Sequence, residues 1–412
     1  MKFSILKEQL KTGFLDICYI WRKEYGAVFR DLGALVFFLA LPFAYPLLYA
    51  LVYNPEVVRD VPMVVVDQAR TPLSRELVRR MDASPNAQVV AWCAGLDEAQ
   101  EMMHRKECYG IMLIPSDFSR KLVRGEQSPV TFYADMSILL NYKGFLMALT
   151  DITMELGAQL QTESLGGATP EQIEMATAPV PYSSVTLYNP ESGFGSFLIP
   201  AILVLILQQS LLLGIGLLAG GVYERKQLHH YYSGRERMHN NVLHIVLGKS
   251  LCYYSLYIVP TVFILHVVPR IFDFPQIGSQ WEIYAFMAPF LFASIFFSMT
   301  CSVFVRERES SFLLFVFTSL LFLFLSGITW PRYAMPGVWQ IVGSLLPSTW
   351  GIQGFVGINT AGASISEVRP SFIWLWGLTG FYFVTSCLVY RYQIRKDRER
   401  GFQGDDVLTD ER

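Results

Sequence analysis

The sequence predicts a polytopic α-helical membrane protein with six transmembrane helices, a re-entrant outer hairpin and an inserted extracytoplasmic α/β domain. Three observations carry that prediction. Hydrophobic residues make up 52% of the 412-residue chain and charged ones only 17%, and its mean hydropathy of +0.34 departs from a soluble globular composition. Uncharged runs long enough to cross a bilayer recur along it. Residues 54–193 break that pattern with short β-rich runs between charged helical ones. A formal net charge of −2 and the lack of any basic run that would track phosphates argue against a nucleic-acid partner.

Residues 1–32 are predicted to form a cytoplasmic amphipathic interface helix. Phe14, Leu15, Ile17, Ile20 and Trp21 stand among Arg22, Lys23, Glu24, Arg30 and Asp31, which suits a helix along a membrane face with Trp21 and Tyr25 at headgroup level. A plain cytosolic lead-in to the first span is the alternative. The first apolar run follows about thirty mixed polar residues and precedes no small-residue cleavage pattern, so a cleaved signal peptide is not expected. Residues 33–53 form the first transmembrane helix, which Pro42 and Pro46 are expected to kink.

In residues 54–193, VPMVVVD, AQVVAWCAG, CYGIMLIP and SPVTFYAD read as strands. SRELVRRMDA, LDEAQEMMHRK and DFSRKLVRG lie between them, the first two helical. That alternation predicts a largely parallel sheet covered by helices. A long helix is expected from about Ser137 to Thr162, then a loop through Pro181. No GxGxxG follows the first strand and no GxxxxGK[ST] occurs, so nothing in the sequence supports nucleotide binding here. Asp67, Glu98 and Asp135 are expected to be turn or cap residues rather than a catalytic acid cluster, and His104 sits in a charged helix. Of the six cysteines, only Cys93 and Cys108 share a non-membrane segment. They form either a pair or two buried thiols.

Residues 194–391 hold transmembrane helices two to six, at about 194–222, 242–268, 281–305, 312–327 and 373–390; residues 392–412 form a cytoplasmic tail. Arg225, Lys226, Arg235 and Arg237, Arg306 and Arg308, and Arg391, Arg395, Lys396, Arg398 and Arg400 fall on the side of Arg22, Lys23 and Arg30. The opposite short loops offer Arg270, Arg332 and Arg369. Positive-inside bias therefore places both termini in the cytoplasm and residues 54–193 outside.

The apolar cores contain almost no ionisable group of the kind that drives a proton- or sodium-coupled carrier. Lys249 and Glu282 lie near span ends and are expected to snorkel. Gln208 and Gln209 are candidate pathway residues, or else bond helix to helix. Energy should therefore come from outside the spans. The cytoplasmic connection at 223–241, mixing charge with aromatics, is its expected point of entry through a partner protein, with a solvated loop as the alternative. His229, His230, His239 and His244 in or beside it lack the spacing of a metal site, and no metal is expected.

After Leu325 the chain is loosened by Ser326 and Gly327 and stopped by Trp330, Pro331 and Arg332. Beyond Pro336 it is apolar again but punctuated by Gly343, Pro347, Gly351, Gly354 and Gly357. Such backbone persists at membrane depth only when buried in protein or lining a wet cavity. Residues 328–358 are therefore predicted to dip in from the outer side, as a gate over an exit path or as a structural plug. The candidate gate residues are Gly327, Trp330, Pro331, Pro336, Gly343, Pro347 and Gly351.

In order, RKEYGAVFRD at Arg22 to Asp31, the LPFAYPLLYALVYNPE run, VPMVVVDQ and YGIMLIPSDFSRKLVRGE resemble segments of type-2 ATP-binding-cassette (ABC) exporter permeases with a large extracytoplasmic domain between spans one and two. The resemblance continues through NPE at Asn189 to Glu191, YER at Tyr223 to Arg225, GK at Gly248 to Lys249 and SGITWPRYAMPGVWQIVGSLLPSTWGIQGFVGI, and so covers essentially the whole chain. QLHHYYSGRERMH stands where many members carry a GTLE-like stretch and a TP turn.

The resemblance implies a multi-pass subunit of a bacterial plasma (inner) membrane, paired with a second permease copy or a sister permease. Separately encoded ABC ATPase subunits would drive it, and they, not this chain, would hold ATP and magnesium. It implies ATPase coupling through Arg22, Lys23, Glu24, Arg30, Glu224, Arg225, Arg235, Arg237, Gly248 and Lys249. No catalytic residue is expected. A periplasmic adaptor and an outer-membrane channel are further candidate partners. The alternative function is a non-transporting membrane scaffold or receptor of the same architecture that binds through its outer domain.

Overall fold

The computed structural model describes residues 2–164, 166, 169–177, 185–190, 192–225 and 242–410. The chain divides into two compact units, Met1–Glu56 with Thr186–Arg412, and Val57–Val185. In chain order, α1 (Lys2–Arg30) leads to α2 (Leu32–Tyr53). The smaller unit contributes α3 (Pro72–Asp82), α4 (Leu96–His104), α5 (Phe118–Val123), α6 (Leu139–Ser164) and α7 (Pro170–Thr177). The larger unit resumes with α8 (Phe194–Glu224), α9 (Val242–Ile271), α10 (Gln280–Phe304) and α11 (Ser310–Leu325). It ends with α12 (Gly337–Ser344), α13 (Pro347–Ala361) and α14 (Arg369–Asp410).

In the smaller unit, β1 (Val61–Asp67), β2 (Ala87–Trp92), β3 (Gly110–Ile114) and β4 (Thr131–Ala134) form one sheet in the order β2-β1-β3-β4. β1 runs parallel to β2 and β3, and β4 is antiparallel to β3. β1 is apolar without alternation because both of its faces are covered. Val61, Met63 and Val65 share a core with Leu77 and Met81 of α3 and Phe145 and Ile152 of α6. Val64 and Val66 face the other way, onto Cys93, Ala99 of α4, Cys108 and Ile111. Burial raises the thiol pKa of Cys93 and Cys108, which are free.

The three strand- and helix-associated carboxylates each serve a local turn. Asp67 accepts from the Ala69 and Arg70 amides and from Ser74 Oγ, Asp135 from the Ser137 amide at 2.9 Å and also from the distant Lys106 Nζ at 2.6 Å, and Glu98 from the Ala94 amide. Residues 170–177 are helical where the sequence reading had a loop. The reason is a capping box: Thr169 Oγ1 accepts from the Gln172 amide while Gln172 Oε1 accepts from the Thr169 amide, with Pro170 opening the first turn.

In the larger unit α8 is the central post, buried along its whole apolar window. Among the described residues five helices, α2, α8, α9, α10 and the first part of α14, are long and apolar enough to cross a membrane. α11 has 16 residues, about 24 Å at the helical rise. α12 and α13 are bent by 86° at a short break. Pro42 and Pro269 are accommodated by π turns at Val36–Ala40 and Phe263–Val267, in which the Leu41 and Val268 amides reach back to the carbonyls of Val36 and Phe263. Glu56 pins the point where α8 begins: its carboxylate accepts from the Ser196 amide and hydroxyl, and its carbonyl from the Phe194 amide.

Phe145 is fully buried with its ring 5.1 Å from that of Phe132. Phe145→Ala is expected to cost about 3–5 kcal/mol. Limited proteolysis of the full-length protein should then cleave within residues 57–185 at least about tenfold faster, leaving the larger unit's helices uncut.

Candidate functional site

The site is built on the contact between α1 and α9. Gly13, Asp16, Ile20, Glu24 and Val28 recur every three or four residues and form the buried stripe of α1. Phe14, Leu15, Tyr19, Arg22, Phe29 and Arg30 are exposed. Two carboxylates therefore lie on the inner face. Glu24 is only 1% exposed, and its Oε1 accepts from Lys249 Nζ at 3.0 Å and from the Tyr253 hydroxyl. Lys249, 6% exposed, also lies 5.7 Å over the Tyr390 ring of α14. It is thus turned inward to a partner, not snorkelled to an interface. One helical turn earlier along α9, His244 Nδ1 stands 3.4 Å from the buried Asp16 carboxylate. Later along α9, Ser255 Oγ bonds Tyr25 Oη at 2.9 Å and accepts from Trp21 Nε1 at 3.2 Å.

Gly248 sets how closely the helices approach. A Cβ there would stand 2.7 Å from Ile20 Cβ and 3.0 Å from the Ile17 carbonyl. Gly248 and Lys249 thus act together, one admitting α1 and the other locking it. Lys23 is half-buried beside this pair; burial and the Lys249 charge hold its ammonium below its ordinary pKa, with Glu24 opposing.

A second tie ends α1. Asp31 caps α2 through the Ala34 amide at 3.1 Å and pairs with Arg308 Nη2 at 2.6 Å. Arg225 Nη2 is 4.0 Å away, and Glu224 Oε1 accepts from the Arg308 amide at 3.1 Å. Burial alone would raise the Asp31 pKa, but the Arg308 and Ala34 bonds override it and hold the carboxyl below its ordinary value. With a depressed folded-state pKa, this tie is intact at neutral pH and is lost only as the pH falls below the usual carboxylate range. α1, α2, the end of α8 and Arg308 bound an open cleft of about 960 Å³. Arg22, Lys23, Arg30, Asp31, Arg225 and Arg308 line it.

The third feature is the bent pair α12–α13. Gly327 ends α11 with φ +89°, a left-handed turn that suits glycine. Trp330 and Pro331 are exposed beyond it, Pro336 caps α12 and Pro347 opens α13. Arg332 braces the pair: it donates to Ser344 Oγ at 2.6 Å and lies 4.5 Å over Trp350, whose ring stacks on Trp374 at 5.2 Å. Gly343 lies against the Leu325 carbonyl, and a Cβ at Gly351 would overlap the Phe290 ring. Thr349 and Gln353 donate to the carbonyls at the end of α11.

Gln208 and Gln209 are buried in α8. Ser294 Oγ of α10 donates to Gln208 Oε1 at 3.5 Å, and neither glutamine lines the cleft beside α1. Residues 226–241, with Arg235, Arg237, His229, His230 and His239, lie outside the described residues. Among the described residues no cluster of His, Cys, Asp and Glu could hold a metal. The sequence reading did not pick out Asp16, Tyr253, Ser255 or the pairing of Asp31 with Arg308. Two acids eight positions apart on an otherwise apolar stripe, Asp16 and Glu24, were the available signal.

Long apolar helices with an internal ion-pair clasp define a polytopic helical membrane protein. The chain belongs to the ABC-2 family of transporter proteins: the family model described as ABC-2 family transporter protein matches residues 33–388. No curated protein matches the chain. Membership makes it a permease, the membrane subunit of an ABC transporter, and implies partnership with ABC ATPase subunits. α1 precedes the matched residues, so its role rests on the geometry above.

Lys249→Met alone strands the Glu24 carboxylate in the clasp and is expected to lower stability by about 3–5 kcal/mol. Adding Glu24→Gln should recover most of that loss. Thermal unfolding of the purified full-length chain reads both; a double variant no more stable than Lys249→Met would show that the two charges do not depend on each other.

Proposed function

We propose that this permease is the membrane half of an ATP-driven exporter, forming its path as a dimer with itself or a sister permease and powered by separately encoded ATPase subunits. The α1–α9 clasp is the observation that carries this reading. An amphipathic helix fixed to a long apolar helix by a buried charge pair is a lever: force applied to α1 must move α9 or expose two charges.

In this reading the membrane lies around six spans, counting α11, with both termini in the cytoplasm of a bacterial inner membrane and residues 54–193 outside. The bent pair α12–α13 is re-entrant from the outer side and gates the exit. Residues 223–241 and the exposed face of α1 receive the ATPases, which hold ATP and magnesium. ATP favours the state in which the ATPases close, to the extent of its differential affinity for the two states, and closure drives the lever. The lack of fixed charges in the spans suits an amphipathic or lipid-like cargo. The outer unit offers a surface to a periplasmic adaptor and, through it, an outer-membrane channel.

Purification from native membranes in mild detergent tests the reading. An ABC ATPase should accompany the chain, and Arg235→Gln with Arg237→Gln should lower permease-stimulated ATP hydrolysis about fivefold or more, at roughly 1 kcal/mol of coupling lost. A chain that purifies with no ATPase, or coupling untouched in the variant, would contradict it.

A further inference from the structure

We propose that the basic cleft beside α1 binds the phosphate of an acidic phospholipid headgroup, an assignment that rests on this end of the spans facing the cytoplasmic leaflet. The cleft, about 960 Å³, has five cations in its lining, Arg22, Lys23, Arg30, Arg225 and Arg308, against one carboxylate, Asp31. Asp31 is already engaged by Arg308 at 2.6 Å, by the Ala34 amide and by Arg225 at 4.0 Å, so it does not neutralise Arg22 or Arg30. Arg22 and Arg30 are exposed, and among the described residues neither has an ion-pair partner.

Their spacing makes a seat. Arg22, Gly26 and Arg30 follow one another at four-residue intervals, so they form one row along α1. A Cβ at Gly26 would meet nothing within 4 Å, so the row is open at the position between the two arginines. Guanidinium forks match phosphate oxygens in pairs, which a row of lysines would not.

The apolar part of the lining selects a lipid over a soluble anion or an acidic protein segment. Leu32, Leu218 and Val222 are among its apolar lining. Leu32 is 76% exposed and opens onto the exposed Val36 of α2. An amphiphile would satisfy both ends at once, its phosphate between the arginines and its acyl chains along α2.

The test uses the purified full-length chain in nanodiscs of equal parts phosphatidylcholine and phosphatidylglycerol, with retained lipid read by native mass spectrometry. The wild-type chain should enrich phosphatidylglycerol. Arg22→Gln with Arg30→Gln should lower that enrichment about 25-fold, at about fivefold for each cation near a membrane surface. Gly26→Leu, which fills that open position without changing charge, should lower it as well. Unchanged enrichment in both variants overturns the proposal. Displacement of phosphatidylglycerol by millimolar inorganic phosphate also overturns it, by assigning the cleft to a soluble anion. So does retention of phosphatidylglycerol by an Arg22→Gln, Arg30→Gln chain that, in a separate purification from native membranes, has lost its co-purifying ATPase, which assigns the cleft to a protein partner. The lipid measurement contains no ATPase, so its failure leaves the exporter reading intact, and failure to find an ATPase leaves the lipid result intact.

Discussion

Glu24 brings a carboxylate to the inner face of a helix where water is nearly excluded, and Lys249 with Tyr253 makes that tolerable. A charge in such a place is strongly unfavourable alone and acceptable in a pair. The pair therefore stabilises one docking of α1 on α9 more than it stabilises the fold as a whole. Any slide of α1 by a helical turn would bury both charges without partners. Gly248 adds the steric half of the same constraint, because the approach that lets Glu24 reach Lys249 leaves no room for a Cβ.

The second tie, Asp31 with Arg308, extends that constraint beyond the pair of helices. Arg308 lies in the connection between α10 and α11, and Glu224 at the end of α8 holds the same residue by its amide. α1 is thus joined to three separate segments of the larger unit at one end of the helices. The bent pair α12–α13 is held by a different kind of chemistry, a cation stacked on Trp350 and side-chain donors aimed at carbonyls left open where α11 stops. Broken backbone in apolar surroundings requires such partners, and the sequence supplies them from Arg332, Thr349 and Gln353.

Much of the fold was legible in the residues. Uncharged runs marked the long helices, and VPMVVVD marked a strand. Pro336 and Pro347 marked the starts of two short helices. The interface helix was visible as an amphipathic pattern, but its charges read as a solvated or docking face. Only the periodicity of Asp16, Ile20 and Glu24 separates the buried acids from Arg22 and Arg30 on the outside. The partner of Glu24 lies 225 residues away, a separation that local pattern does not reach. Arg308 counted as a topology signal, and its bond to Asp31 emerged only with the connection folded back. The helix at 170–177 was written in Thr169, Pro170 and Gln172, whose reciprocal capping outweighs the loop-like composition around it.

The central claim is that α1 and α9 move as one body. Spin labels at Tyr19 and Leu251, both exposed on those helices, would read their separation in the nucleotide-free and ATP-bound states of the assembled transporter. The account predicts the same distance distribution in both states. A shift of several ångströms between α1 and α9 on ATP binding would contradict it.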